Sequence, residues 1–246
     1  MALKANPEDQ ALLLDLQALD TKLSQLDHRA KSLPEIAVLD GLAKESTTVK
    51  LTLAEQNGAL EDVSLELTRI ESDVKVVEAR IARDSERVQS SSSVKDVAAL
   101  EQELAALSKR LGDLEEIELT VMERLEQQQS AVDTTSGQLA ELADKSRAVE
   151  VDRDAALASI AAERTTAAAG RRTIEAKVPA DLLALYERQR ARYGTGASLL
   201  RGGVSMASGV KLLENEMQAI RAAAPDEVIM CASSEAILVR TNESGL

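Results

Sequence analysis

The chain has 246 residues, of which 44% are hydrophobic, yet it contains two Tyr, no Phe and no Trp. Large aromatic side chains supply much of the buried area of a globular core, whereas Leu, Val and Ala suffice for the thin seam between two helices, so this composition argues against a thick core. The formal net charge of -13 argues against wholesale wrapping by nucleic acid or adhesion to an anionic membrane, since both need a basic surface.

The first predicted element is an amphipathic helix near the N-terminus. Apolar residues recur at steps of three and four from Leu12 to Leu33, which is the spacing of one apolar face of a helix. The pattern loses phase at Pro34. Because proline inside a helix removes a hydrogen bond and clashes with the preceding turn, we expect a break or sharp kink near residues 33–34.

Two long apolar stripes follow, one on each side of the serine run Ser90–Ser93. They cover Leu39–Val88 and Val97–Ile160, again with alternating steps of three and four. An average period of 3.5 keeps each stripe facing one partner helix, and a tight connection makes consecutive helices antiparallel neighbours. The sequence therefore predicts a long antiparallel coiled-coil hairpin with its tip near residues 90–93 and with Ser93 as the N-cap of the second helix.

The predicted register of this hairpin brings two glutamines together. Folding the chain at the serines pairs Val74 with Leu111 and places Gln56 near Gln128. Two polar residues at one level of an apolar seam can hydrogen-bond and set the register, at some cost in stability. Alternatively, each glutamine is a single weak position that a long seam tolerates.

The remaining sequence predicts a small C-terminal domain. Val178-Pro179 marks a boundary, and Pro179 starts a short helix, PADLLALYERQRARY. Gly194 and Gly196 end this helix and form a linker. A further helix, LLENEMQAIRAA, and two short strands, EVIMC and AILVR, follow. The predicted fold class is therefore mainly α, with a coiled-coil hairpin over residues 1–178 and a small α+β domain over residues 179–246.

Three segments carry a resemblance to known proteins: DLEEIELTVMERLE in the second arm, VPADLLALYERQRARYGTGASLLRGG after it, and DEVIMCASSEAILVRTNESGL at the end. Together they resemble a bacterial family of coiled-coil proteins that end in a four-cysteine zinc ribbon, and the resemblance runs nearly end to end. It implies that the C-terminal α+β domain is zinc-ribbon-like and that the chain serves to hold partners.

The resemblance also implies a metal site, which this sequence has nearly lost. In the family two Cys-x-x-Cys knuckles bind one zinc ion, because four thiolates complete a tetrahedral shell. The corresponding positions are Ser205, Ser208, Cys231 and Ser234. Since a neutral hydroxyl is a poor zinc ligand, we expect no tightly bound zinc and no other cofactor. The ribbon would persist on its apolar packing, which we favour, or be only partly ordered, and the loss of the cysteines is either natural or engineered.

Basic residues are concentrated in the segment 171–201, which holds seven basic and three acidic residues. Guanidinium groups contact phosphates and tyrosine rings stack on bases, so this segment is the candidate nucleic-acid interface. Its candidate residues are Arg171, Arg172, Arg188, Arg190, Arg192, Arg201, Tyr186 and Tyr193. The alternative is that these arginines pair with acidic residues of the helical arms.

The sequence lacks the residues of a hydrolytic site. Such a site needs a histidine near its nucleophile, and the single histidine, His28, lies in the first predicted helix. The N-terminal sequence MALKANPEDQ has no apolar signal core, and no apolar run approaches the ~20 residues of a membrane helix. A single cysteine, Cys231, also excludes an internal disulfide framework.

These observations predict a cytoplasmic, non-enzymatic protein without catalytic residues. The leading hypothesis is an adaptor or chaperone-like scaffold that binds partner proteins through the coiled-coil arms and the C-terminal domain. The alternative is nucleic-acid binding through residues 171–201. We expect no membrane association and a monomer or weak homodimer, since a hairpin buries its own stripes.

Overall fold

The computed structural model describes residues 3–246, and most of these residues are helical. The helices are α1 (Pro7–Lys31), α2 (Pro34–Ser90), α3 (Val94–Glu175), α4 (Ala180–Tyr193) and α5 (Glu214–Ala222). The strands are β1 (Ala197–Arg201), β2 (Val204–Ser205), β3 (Val210–Lys211), β4 (Ile229–Met230) and β5 (Ile237–Val239). The predicted fold class, a long helical hairpin with a small C-terminal strand-containing domain, is confirmed. None of the helices within residues 3–246 has both the length and the apolar character needed to cross a membrane.

Contacts divide the chain into two compact units. The hairpin unit is Glu35–Val151, and the terminal unit combines residues 3–34 with residues 152–246. This division differs from the predicted boundary at 178/179, because α1 and the end of α3 pack with the C-terminal domain. A sheet with an apolar face needs a covering layer, and these helical segments supply it.

In the hairpin unit, α2 and α3 face each other along the predicted stripes. Every stripe position within this unit is buried or half-buried. Across the two helices Arg80 pairs with Glu103, and Arg124 pairs with Glu66 at 3.1 Å. Arg80 and Glu103 both lie nearer the tip than Glu66 and Arg124, so the two helices are antiparallel.

The tip of the hairpin is the three-residue connection Ser91–Ser93 between α2 and α3. The hydroxyl of Ser93 accepts a hydrogen bond from the backbone N–H of Asp96 at 3.4 Å, which is the N-cap role expected from the sequence. So short a connection leaves the helix ends adjacent, and the facing apolar stripes then favour an antiparallel arrangement.

The predicted pair Gln56 and Gln128 is not joined through the carbonyl oxygen of Gln56. The Oε1 atom of Gln56 is buried and has no hydrogen-bond partner within residues 3–246, so it accepts no hydrogen bond from Gln128. Gln56 is therefore a polar position that a long seam tolerates, at the expense of one unsatisfied carbonyl oxygen.

In the terminal unit, α1 covers one face of the sheet and also packs along the end of α3. Leu13 and Leu16 of α1 are fully buried in one core with Leu182, Tyr186 and Ile237. A second buried cluster joins Leu26 and Leu33 to Ile160 of α3. The helical break expected near residues 33–34 coincides with the gap between α1 and α2, where α2 starts at Pro34.

The sheet of the terminal unit has the strand order β3-β2-β1-β5-β4. Its central strands β1 and β5 run parallel, and the other neighbours are antiparallel. Parallel pairing requires a long crossover, and the segment containing α5 provides it. The strand β1 was not predicted, because Ala197–Arg201 is short, follows two glycines and lacks β-branched residues.

Candidate functional site

The basic segment 171–201 contains a buried charge cluster centred on Asp20 of α1. The Asp20 side chain is 4% exposed and accepts hydrogen bonds from Nε of Arg171 at 2.7 Å, Nη1 of Arg190 at 3.1 Å and the hydroxyl of Tyr186 at 2.7 Å. Glu187 accepts hydrogen bonds from both arginines as well. A buried carboxylate is stable only when charges and hydrogen bonds compensate its lost hydration, and this cluster provides both. It ties α1, α3 and α4 together.

The surroundings of Arg171 and Tyr186 in this cluster raise the pKa of both side chains. Burial alone would lower the pKa of Arg171, but hydrogen bonds to Asp20 and Glu187 and the charges of these carboxylates raise the pKa above its ordinary value. The pKa of Tyr186 is raised first by burial and then by the hydrogen bond and the charge of Asp20. Arg171 therefore stays charged and Tyr186 stays neutral across the physiological pH range.

Three of the candidate nucleic-acid residues, Arg171, Tyr186 and Arg190, donate hydrogen bonds within this cluster. Tyr186 cannot stack on a base, because its ring is fully buried and its hydroxyl is bonded to Asp20. The prediction for Tyr186 is wrong, since the ring fills the core beneath α1. Arg171 and Arg190 form ion pairs, as the alternative interpretation held, and their partners are Asp20 and Glu187.

The other candidate residues remain on the surface. Arg172, Arg188 and Arg192 are exposed, and the structure gives them no ion-pair partner among residues 3–246. The guanidinium carbon of Arg192 lies 5.2 Å from the ring centroid of Tyr193, a cation–π distance. Arg201 is exposed and pairs with a glutamate near the C-terminus at 3.1 Å. Among the candidate arginines, Arg172, Arg188 and Arg192 are thus exposed and without an ion-pair partner in the described residues, and Arg192 lies beside Tyr193.

The two segments that contain Ser205, Ser208, Cys231 and Ser234, the predicted knuckle positions, form tight turns. The carbonyl of Ser205 accepts a hydrogen bond from the N–H of Gly209, and the carbonyl of Cys231 accepts one from the N–H of Glu235, both at 2.8 Å. The hydroxyl of Ser208 accepts a hydrogen bond from the backbone N–H two residues later at 3.3 Å. The backbone of each turn is therefore held by its own hydrogen bonds.

The sulfur of Cys231 lies among hydroxyl groups. Its Sγ is 3.2 Å from the hydroxyl of Ser233, while the buried hydroxyls of Ser205 and Ser234 make no hydrogen bond of ordinary length within residues 3–246. Burial alone would raise the pKa of Cys231, but the hydroxyls of Ser205, Ser233 and Ser234 outweigh it and lower the pKa to about 7. The cysteine itself is completely buried.

This donor set does not fit structural zinc. The four knuckle positions supply one thiol and three hydroxyls, whereas zinc prefers thiolate and imidazole ligands. In the part of the chain that the structure describes, residues 3–246, no group of three or more His, Cys, Asp or Glu side chains is placed to hold a metal ion.

Apolar side chains pack around Cys231, and Arg240 ties the end of β5 to the C-terminus of α5. Cys231 belongs to a buried cluster with Leu200, Met217 and Leu238. The guanidinium of Arg240 donates hydrogen bonds to carbonyl oxygens at and after the end of α5, including those of residues 223 and 224 at 3.1 Å and 2.6 Å. It thereby satisfies carbonyl groups that a helix C-terminus leaves without partners.

A groove lies between α2 and α3 in the hairpin unit, with a volume of about 990 Å³. Its lining residues are Leu60, Ser64, Leu67, Leu119, Met122, Glu123, Leu125, Glu126, Gln129, Ser130, Asp133 and Thr134. Leu119 is 63% exposed and Met122 is 49% exposed. These two side chains lie beside the seam and outside it, so the pairing of α2 with α3 leaves them accessible.

The architecture is that of a coiled-coil hairpin protein with a small strand-containing terminal domain. Residues 16–194 match the family described as CT398-like coiled coil hairpin domain. The chain belongs to this bacterial family.

Similar proteins come from several bacteria. The uncharacterized protein Rv2229c of Mycobacterium tuberculosis is 34% identical over 97% of this chain and 98% of its own length. A solved structure from Mycobacterium smegmatis is also 34% identical, with a TM-score of 0.88, and the match covers 97% of this chain and 100% of that one. CT398 from Chlamydia trachomatis has a TM-score of 0.65 at 17% identity, over 94% of this chain and 97% of its own, which shows the shared fold.

Two residues that connect elements of the terminal unit, Asp20 and Gln17, were not among the predicted site residues. The Oε1 atom of Gln17 accepts a hydrogen bond from the N–H of Gly196 at 2.7 Å and so anchors the start of β1. A signal for Asp20 was present, because Leu13, Leu16 and Asp20 follow each other at steps of three and four. A carboxylate on an apolar helix face indicates a buried ion pair.

Proposed function

We propose that the chain is a non-enzymatic adaptor that holds partner proteins, with the hairpin unit as its main binding surface and the terminal unit as a second one. One observation carries this proposal: a hairpin that has already buried its own apolar stripes still exposes Leu119 and Met122 along a groove. Apolar side chains grouped on an otherwise polar surface are typical of protein-binding sites.

The distribution of reactive groups supports a role without catalysis. His28 is exposed on α1, whereas the single thiol, Cys231, is buried beside β4. The buried carboxylate of Asp20 is occupied by two arginines and a tyrosine hydroxyl. The exposure of His28, the burial of Cys231 and the ion pairs of Asp20 are each explained without a catalytic role.

The proposal also covers the terminal unit, the cellular location and the oligomeric state of the protein. We take its strand-containing part to be a zinc-ribbon-like module that has lost its metal and docks partners without any cofactor. The donor set at Ser205, Ser208, Cys231 and Ser234 supports this. We further propose that the chain acts in the cytoplasm, away from membranes, as a monomer or weak homodimer.

Cross-linking with mass spectrometry in the source cells tests the adaptor role. An amine-reactive reagent reaches lysines along the hairpin unit at Lys44, Lys50, Lys75, Lys95, Lys109 and Lys145. We expect these lysines to cross-link to one partner protein, in amounts comparable with the chain itself. A chain that yields no such partner and turns over a small molecule would contradict the proposal.

Nucleic-acid binding is the second candidate function, and the unpaired surface arginines favour it. Replacing Arg172, Arg188 and Arg192 with Glu should abolish a gel shift with single-stranded RNA or DNA. Affinity for the unaltered chain should fall steeply between two salt concentrations, because bound phosphates release counterions. The matched control replaces the exposed hairpin arginines Arg69, Arg83 and Arg110 with Glu, which makes the same charge change elsewhere. Equal loss in both variants, or no salt dependence, rules out this interface.

A further inference from the structure

We infer that the groove lined by Leu60, Leu67, Leu119 and Met122 is the docking site for an amphipathic helix that carries Lys or Arg beside its apolar stripe. This inference rests on the proposed adaptor function and adds the site and the chemistry of the partner. Its grounds are the shape of the groove, its charge and the charge of the whole hairpin unit.

The groove has the shape that a third helix requires. On α3, Leu119, Met122, Glu126, Gln129 and Asp133 follow each other at alternating steps of three and four, so they form a second stripe next to the seam stripe. A helix laid along such a stripe packs its own ridges into the space between the two existing helices.

The length of the groove sets the length of its occupant. The lining on α3 extends from Leu119 to Thr134, which corresponds to roughly 22 Å at ~1.5 Å per residue. A docked helix therefore contacts the groove over about four turns. Its apolar residues would meet Leu119 and Met122 at one end, and its polar residues would meet Gln129 and Asp133 at the other.

The charge of the groove selects a basic partner. Glu123, Glu126 and Asp133 line it, and none of its lining residues is basic. The whole hairpin unit, Glu35–Val151, holds 25 acidic and 13 basic residues, a net charge of -12. Complementary charge steers association and excludes wrong partners, so lysines or arginines flanking the apolar stripe suit this surface.

The same charge argues against a second copy of this chain as the occupant. Two hairpin units would bring net charges of -12 together along their length. Like charges in apposition oppose association. A short basic helix neutralises the rim of the groove, whereas a second hairpin unit adds to its negative charge.

A designed peptide tests the inference directly. The probe is an 18-residue helical peptide with leucines at steps of three and four and lysines on both flanks, and its two controls are a scrambled peptide and a version with glutamates in place of the lysines. With the full chain we expect saturable binding of the lysine peptide, weakened by added salt. Binding of the glutamate and scrambled peptides should be weaker by at least about tenfold, and equal binding of the scrambled peptide overturns the inference.

Matched variants locate the binding site. The double substitution Leu119→Ser and Met122→Ser should weaken peptide binding by about tenfold or more, since both side chains are exposed and their loss leaves the seam intact. The control is Leu51→Ser with Val76→Ser, two side chains that are 64% and 63% exposed and lie outside the groove lining. Unchanged binding by the groove variant, or equal loss in both variants, contradicts the inference.

The in-cell cross-linking experiment separates this inference from the adaptor role. A partner that cross-links to the unaltered chain and to the control but not to the groove variant supports both. A partner that cross-links equally to the groove variant retains the adaptor role and overturns the groove assignment. Sedimentation velocity tests whether a second copy of the chain occupies the groove. A dimer that forms with the unaltered chain but not with the groove variant would assign the groove to that second copy and overturn the inference.

Discussion

Replacing Asp20 with Ala should destabilise the terminal unit by about 3–5 kcal/mol, the range observed when one partner of a buried ion pair is removed. The substitution leaves Arg190 and the hydroxyl of Tyr186 without their buried acceptor and takes from Arg171 one of its carboxylate partners. Tyrosine fluorescence during urea unfolding measures the effect. Both tyrosines, Tyr186 and Tyr193, lie in the terminal unit and the chain has no Trp, so this signal reports on that unit alone.

The control for this experiment is Asp27→Ala in the same helix. Asp27 pairs with Arg164 at 2.8 Å, but its side chain is 47% exposed. An exposed pair of this kind contributes less than about 1 kcal/mol. Equal urea midpoints for the two variants would show that the Asp20 cluster does not hold α1, α3 and α4 together.

Replacing Gly196 with Ala should destabilise the terminal unit by about 1–3 kcal/mol, because an added methyl group has no room. A Cβ atom at this position would lie 2.5 Å from ring carbons of Tyr186 and 2.8 Å from its backbone carbonyl oxygen. The ring is fully buried and its hydroxyl is bonded to Asp20, so it cannot move aside without breaking that bond. Tyrosine fluorescence during thermal unfolding should show a lower midpoint.

Gly170→Ala is the matched control, since Gly170 lies in α3 within the same unit. A Cβ atom there would meet Leu19 at 3.6 Å, an ordinary contact distance. Alanine is favoured over glycine inside a helix by about 1 kcal/mol, so the midpoint should rise or stay unchanged. A Gly196→Ala midpoint equal to that of the unaltered chain would contradict the packing described at the start of β1.

The hairpin was predictable because the spacing of apolar residues that specifies it recurs over short stretches of the sequence. Steps of three and four place each stripe on one face of a helix, and two such stripes joined by a short connection favour antiparallel pairing. Burial along Leu39–Val88 and Val97–Val149 follows the predicted stripes position by position. The unsatisfied Oε1 atom of Gln56 was not predictable in this way, because hydrogen bonding within the seam depends on the rotation of individual side chains.

The candidate site was predictable only in part. The composition of residues 171–201 located the basic segment but could not separate its buried arginines from its exposed ones. That separation depends on Asp20, which is 151 residues from Arg171 in the chain. The spacing of Leu13, Leu16 and Asp20 places the carboxylate on an apolar helix face, but no local pattern names a partner so far away in the chain.

The mainly helical class, the hairpin with its tip at the serines and the break before Pro34 are all readable from the amino-acid sequence. Each of these follows from residue spacing or from the chemistry of single side chains. Three further features are visible in the fold and not in the sequence: α1 completes the terminal unit, β1 pairs in parallel with β5, and Tyr186 is buried. These features arise when an apolar face and a carboxylate from opposite ends of the chain find their partners, and contacts of that kind are absent from any local pattern.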